Sequence, residues 1–149
     1  MTTSFTTRHA IDPNFGAQMD TEMLRENFLV DNLFAKGEIN LTYTNYDRMI
    51  VGGAVPTSSA LRLEAIKPTG TQNFLDRREL AVFNVGQAGT ITVDGEAHDL
   101  EHRDMLYIGM GKTSVEFSSK NSDEPAKFYL LSAPAHAAYP TKMVQIDDA

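Results

Sequence analysis

Arg77-Arg78-Glu79 is the densest group of ionisable side chains beside the apolar runs of this chain. A guanidinium can grip a carboxylate through two parallel hydrogen bonds, so Arg77 and Arg78 are candidates for holding an acidic small molecule, with Glu79 beside them. The alternative is internal. On a strand, Arg77 and Glu79 share one face and can form an ion pair, while Arg78 takes the other face. His136 lies in APAHAAYPT between Pro134 and Pro140. That rigid frame can aim the imidazole at a substrate or hold it in an interface. His98 and His102 are four apart, a metal-pair spacing on a helix, but here they flank a strand and turn and read as polar hairpin residues. His9 falls in the N-terminal segment. Arg48 and Arg103 each adjoin an aspartate (Asp47, Asp104), which suggests local ion pairing or bracing of a corner. Gly52-Gly53 has no Lys, Ser or Thr in a phosphate-loop frame and no following helix. The spacing assigns no catalytic residue.

These side chains sit on a pattern of short strands. Ile39, Leu41 and Tyr43 alternate with polar residues, and Leu61 and Leu63 do so again. Arg48 to Val51 continues into an apolar run that Gly52-Gly53 breaks. Leu80 to Val85, Thr90 to Val93, Met105 to Ile108, Thr113 to Phe117 and Lys127 to Leu131 follow, the last of these closing the series. Asp94-Gly95 is a two-residue hairpin signal, because both residues tolerate positive φ. Residues 1–20 read as an extended arm, with Pro13 and Gly16 as breakers. Thr21 opens a short helix as its cap, with Leu24 and Phe28 one turn apart. The expected fold is all-β, a jelly-roll barrel with an N-terminal arm and one or two short helices; residues 21–149 form its single domain.

Composition narrows the function. The chain has 149 residues, 42% of them hydrophobic and 22% charged, as in an ordinary globular domain. A net charge of -7 argues against a nucleic-acid surface, which needs clustered cations. An anionic substrate would therefore need a local positive pocket. The absence of cysteine excludes disulfides and thiolate-held zinc. Neither a signal peptide nor a membrane span is read from the first 20 residues, so the cytoplasm is the default expectation.

Glu79 to Phe117 resembles a cupin core, with Gly89, Asp94-Gly95, Asp104 and Gly111 at the expected turns. Arg103 stands where glycine is usual in that pattern, and Gly109 where proline is usual. Four segments in order, YDRMIVGGAVP (46–56), FLDRRELAVFNVGQAGTITVDG (74–95), HRDMLYIGMG (102–111) and APAHAAYPTK (133–142), resemble the first half of the 5-keto-4-deoxyuronate isomerases. The resemblance implies two tandem cupins, a hexamer, and conversion of a keto-deoxyuronate to a 3-deoxy-hexodiulosonate in pectin-derived uronate breakdown. It also implies a zinc ion held by three His and one Glu in the second cupin. None of those ligands falls on this chain. With Glu79 at the cupin carboxylate position, the upstream histidine positions read Gln72, Asn73, Phe74 and Leu75, and the downstream one falls near Ser114. No metal is therefore expected here.

Three functions compete. The first is the N-terminal, structural and assembly half of a sugar-acid ketol-isomerase, inactive by itself and self-associating. The second is a stand-alone cupin that binds a sugar acid through Arg77 or Arg78 without catalysis. The third is an independent metal-dependent cupin using Glu79 with His98, His102 or His136.

Overall fold

The computed structural model describes residues 3–149. Among these residues eleven strands form two sheets. In chain order they are β1 (Thr3–Arg8), β2 (Ile39–Thr44), β3 (Ile50–Ala54), β4 (Leu61–Arg62), β5 (Arg78–Asn84), β6 (Gly89–Val93), β7 (Glu96–Leu100), β8 (Met105–Ile108), β9 (Val115–Ser119), β10 (Phe128–Pro134) and β11 (Lys142–Val144). The larger sheet runs β1-β2-β3-β10-β5-β8-β11, and the smaller β4-β9-β6-β7. Pairing is antiparallel throughout both sheets except between β1 and β2. This is the all-β, jelly-roll arrangement of a cupin. Its strands pair as two separate sheets rather than as one closed cylinder.

Alternation builds the core. Leu80 and Val82 of β5, Leu106 and Ile108 of β8, and Phe128 and Leu130 of β10 turn inward from the larger sheet. Ile91 and Val93 of β6 and Val115 and Phe117 of β9 do so from the smaller one. The rings of Phe117 and Phe128 meet at 5.4 Å between centroids. Each fully buried side chain of this size contributes about 1.5–3 kcal/mol to the core.

Several local expectations need correction. The arm is extended as expected, but Thr3–Arg8 also pairs parallel with β2 as an edge strand, and Pro13–Gly16 forms one helical turn, α1. The first two residues of that segment lie outside the described residues. Helix α2 spans Thr21–Phe28, but its cap is Asp20, whose carboxylate accepts the Met23 N–H at 2.9 Å. Asp is as good a cap as Thr and stands one residue earlier. Leu24 and Phe28 are 42% and 52% exposed, so that pair does not anchor the helix in the core. Gly52 and Gly53 lie inside β3, where the sequence suggested a break. A Cβ on Gly53 would strike the Leu33 carbonyl, and one on Gly52 would meet the Leu41 side chain at 2.5 Å. Close backbone approach, not a turn, requires glycine there. β10 is followed by one more strand, β11, against β8.

The turns set the two ends of the sandwich. Asp94 and Gly95 both have positive φ, 47° and 87°, as their hairpin demands. Arg103 has φ 75°, which explains why glycine suits that corner. Asp104 is buried and accepts the N–H groups of Glu101 (2.8 Å) and Ile146 (3.0 Å), so it braces the corner through backbone and not through Arg103.

Gly53→Ala is expected to lower stability by about 2–3 kcal/mol, since the obstacle is main chain and cannot swing aside. Chemical denaturation measures this. A change within about 0.5 kcal/mol, the scale of an exposed neutral substitution, would contradict the packing described.

Candidate functional site: a basic pocket at one end of the sandwich

The start of β5 decides which way the charged triplet faces. Arg78 lies on the inward side with Leu80 and Val82 and is only 5% exposed. Glu79 lies on the outer side with Ala81 and Phe83. Arg77 precedes the strand and is exposed.

Arg78 is held by three acceptors. Its Nε donates to Ser132 Oγ at 3.0 Å. One terminal nitrogen, Nη2, donates to the Ser132 carbonyl at 3.0 Å and to the Arg48 carbonyl at 2.6 Å. Ser132 is itself buried on β10, and its hydroxyl donates to the Glu79 carbonyl at 2.7 Å. The other terminal nitrogen, Nη1, has no hydrogen-bond partner among the described residues. Burial is the main influence on this guanidinium and holds its pKa below the ordinary value; Arg48 pushes the same way, and Tyr43 opposes them.

The internal Arg–Glu pair considered from the sequence does not form. Among the described residues Lys120 pairs with Asp99 at 2.8 Å, and the His98 imidazole lies 3.9 Å from Glu96. Arg77 precedes β5 and lines the pocket instead of sharing the outer face with Glu79, and Glu79 accepts the Tyr107 hydroxyl at 2.7 Å. The phenol of Tyr107 is pushed up to about 12, mostly by burial, then by the hydrogen bond and charge of Glu79, with Tyr139 adding to it.

Arg48 does not pair with Asp47 either. Both residues have positive φ, 55° and 52°, in the turn between β2 and β3, and it is the Arg48 carbonyl that Arg78 captures. This turn, the Lys67–Thr69 helical turn and the start of β5 enclose a small cavity of about 110 Å3. Arg48, Arg77, Arg78, Tyr43, Thr69 and Thr71 line it, with Pro68 and Pro134 as rigid walls. No carboxylate lines it. Asp76, next to Arg77 in the chain, is occupied by the backbone and side-chain N–H groups of Asn73, which hold its carboxyl below the usual range.

The fold thus gathers Arg77 and Arg78 and adds Arg48. It leaves out Glu79, which is on the other face, and His136, which is exposed in the bend after β10. His98 lies in β7 with a nearly enclosed ring, and the Nδ1 of His102 sits 2.9 Å from the Gly86 carbonyl. Among the described residues no three His, Asp or Glu side chains converge as metal ligands. The ring of ligands implied for a cupin metal does not fit these residues. Glu79 faces outward, Phe74 and Leu75 are buried in the core, and the Ser114 N–H is bound to Asp94 Oδ1 at 2.8 Å. The inward position on β5 carries a cation, which repels a metal ion. Sequence reading missed Tyr43, Thr69, Thr71, Ser132 and Tyr107, whose separation along the chain gives no local signal.

Fold and site together define a cupin-type jelly-roll domain with a three-arginine pocket at one end. Residues 28–149 match the family model described as KduI/IolB, and the chain belongs to the KduI/IolB family. The 4-deoxy-L-threo-5-hexosulose-uronate ketol-isomerase 2 of Rhizobium meliloti (strain 1021) is 55% identical to it over 145 residues, covering 97% of this chain and 51% of that protein. The 4-deoxy-L-threo-5-hexosulose-uronate ketol-isomerase of Formosa agariphila is 52% identical over 149 residues, covering 100% of this chain and 53% of that protein. The chain spans about half the length of the curated relatives it matches. A solved ethanolamine utilization protein Q from Salmonella typhimurium LT2 overlaps 66% of the chain and 69% of its own at 17% identity, with a TM-score of 0.45.

Replacing Glu79 by Gln keeps a hydrogen-bond acceptor for Tyr107 but removes the charge. The Tyr107 titration is then expected to fall from about 12 toward, though not to, its ordinary value of 10.0, because burial remains. In the parent chain, the stability that comes from keeping this phenol neutral is present below pH 10.0 and is lost as pH rises through about 12. Ultraviolet titration of the phenolate checks both; an unchanged midpoint in the variant would remove Glu79 from the account.

Proposed function

We propose that this chain is the N-terminal, metal-free half of a uronate ketol-isomerase that interconverts a keto-deoxyuronate and a 3-deoxy-hexodiulosonate. The observation that carries this reading is identity of 52–55% to named ketol-isomerases along essentially the whole chain, matched to about half of each. Residues 21–149 are then one cupin domain, and a second cupin supplies the zinc. Isomerisation between adjacent carbons needs a base to move the proton and an electrophile at the carbonyl. The first is within reach of many side chains. The second is a metal role, and the donor set here does not suit a metal. The substrate is a small sugar acid, and Arg77 and Arg78 are the residues of this half best placed to meet its carboxylate. A cytoplasmic location fits such a metabolic step; no helix among the described residues is long and apolar enough to cross a membrane.

The 149-residue chain alone is expected to show no turnover of keto-deoxyuronate, with or without added zinc. The same residues joined to the second half of a relative are expected to be active. Losing the carbonyl electrophile removes several kcal/mol of transition-state stabilisation, roughly a thousandfold or more in rate. Turnover by the short chain comparable to that of a full-length relative would sink this division of labour.

Self-association belongs to the same reading. Phe5, Phe15, Leu24, Phe28, Leu29 and Phe34 are all more than a third exposed, and they cluster in the first 34 residues. Apolar side chains left exposed in this stretch are available for another chain to cover where they adjoin. Sedimentation equilibrium is expected to give a mass above that of one chain; a monomer at high concentration would contradict it.

A further inference from the structure

We propose that the Arg48–Arg77–Arg78 pocket is a carboxylate-binding site of this half in its own right, selective for hydroxy-carboxylates. The sugar-acid class of its natural ligand rests on the isomerase reading above; the anion site does not.

The chain carries -7 overall, yet three guanidinium groups converge on one cavity with no carboxylate in its lining. Arg78 is the anchor. A buried charge is costly unless it is both hydrogen-bonded and paired. Ser132 and the Arg48 carbonyl satisfy Nε and Nη2, and their rigid hold fixes the plane of the guanidinium. Nη1 has no partner among the described residues and is not one of their sealed, unpartnered atoms, so it stays open to a ligand, and no carboxylate of those residues forms an ion pair with Arg78. Arg77 and Arg48 are exposed, so their side chains are free to close on an anion that Arg78 orients.

Size and polarity then select the ligand. A volume of 110 Å3 is a few water molecules' worth, far below the roughly 300 Å3 at which whole-ligand pockets begin. It admits a carboxylate and the first carbons that bear it, with the rest of the molecule outside. The threonine hydroxyls separate a hydroxy-acid from a bare oxyanion. Thr69 Oγ1 already donates to the Ile66 carbonyl at 2.7 Å, and Thr71 Oγ1 spends its one hydrogen on the Asn73 carbonyl at 2.9 Å, with Thr69 Oγ1 3.2 Å away. Their hydrogens are spent within the loop, so they offer lone pairs to the cavity. Lone pairs suit the O–H groups of a hydroxy-carboxylate and repel the extra oxygens of a dianionic phosphate.

The test is isothermal titration of the 149-residue chain at low salt with D-galacturonate, D-galactose, acetate and inorganic phosphate. Saturable binding of D-galacturonate is expected, weakened about tenfold or more without its carboxylate, as in D-galactose, and likewise by Arg77→Gln or Arg48→Gln. Both substitutions are at exposed side chains, and the second leaves in place the main-chain carbonyl that holds Arg78. Arg78→Gln is expected to abolish binding, with circular dichroism and thermal unfolding reporting whether it folds; the exposed pair carries the test if it does not. Thr71→Val is expected to weaken D-galacturonate more than acetate. Equal binding of galacturonate and galactose, indifference to both exposed substitutions, or phosphate bound more tightly than galacturonate would overturn the proposal. Turnover by the joined halves without galacturonate binding to this chain would overturn the pocket and leave the isomerase reading standing; binding without turnover would do the reverse.

Discussion

The two-residue period of β5 governs the chemistry of this domain. β5 lies between β10 and β8 in the larger sheet, so both its edges are paired and its register cannot slip without emptying the core of Leu80 and Val82. With those two residues turned inward, Arg78 has to turn inward as well, and Glu79 outward. The carboxylate at the cupin ligand position is thereby removed from the interior, and a permanent cation is put there.

Holding that cation shapes its surroundings. Ser132 is inward on β10 because Phe128 and Leu130 are, and it lies beside Arg78 through the antiparallel register of β10 on β5. The Arg48 carbonyl reaches the same guanidinium only because the β2–β3 turn adopts positive φ at two successive non-glycine residues. Such a conformation costs about 1–3 kcal/mol per residue, and it persists where the surroundings hold it. Neutral acceptors thus orient Arg78 without cancelling its charge, unlike the carboxylates that usually accompany buried guanidinium groups.

On the opposite face of the same strand, Glu79 and Tyr107 make a separate arrangement that belongs to the sheet surface. The phenol shields the carboxylate there, and Phe83 and Tyr129 pack beside each other further along, with ring centroids 6.2 Å apart. A single strand therefore separates a basic interior end from a partly apolar outer face.

The sequence alone determined the class of fold, because alternation and turn chemistry are local: Leu80–Val82, Ile91–Val93 and Asp94-Gly95 declare strand, strand and hairpin within a few residues. It also determined that Arg78 and Glu79 oppose each other, since that follows from strand geometry alone. Which of the two faced inward was not legible, because it depends on the register against β10 and β8. The membership of the pocket was decided by tertiary structure for the same reason. Tyr43, Arg48, Thr69, Thr71 and Ser132 are brought to Arg78 by pairings that span up to 54 residues, and no short-range pattern records them. Gly52-Gly53 shows the limit most plainly. Two glycines in sequence signal a break, and only the approach of Leu33 and Leu41 from elsewhere in the chain turns them into the interior of a strand.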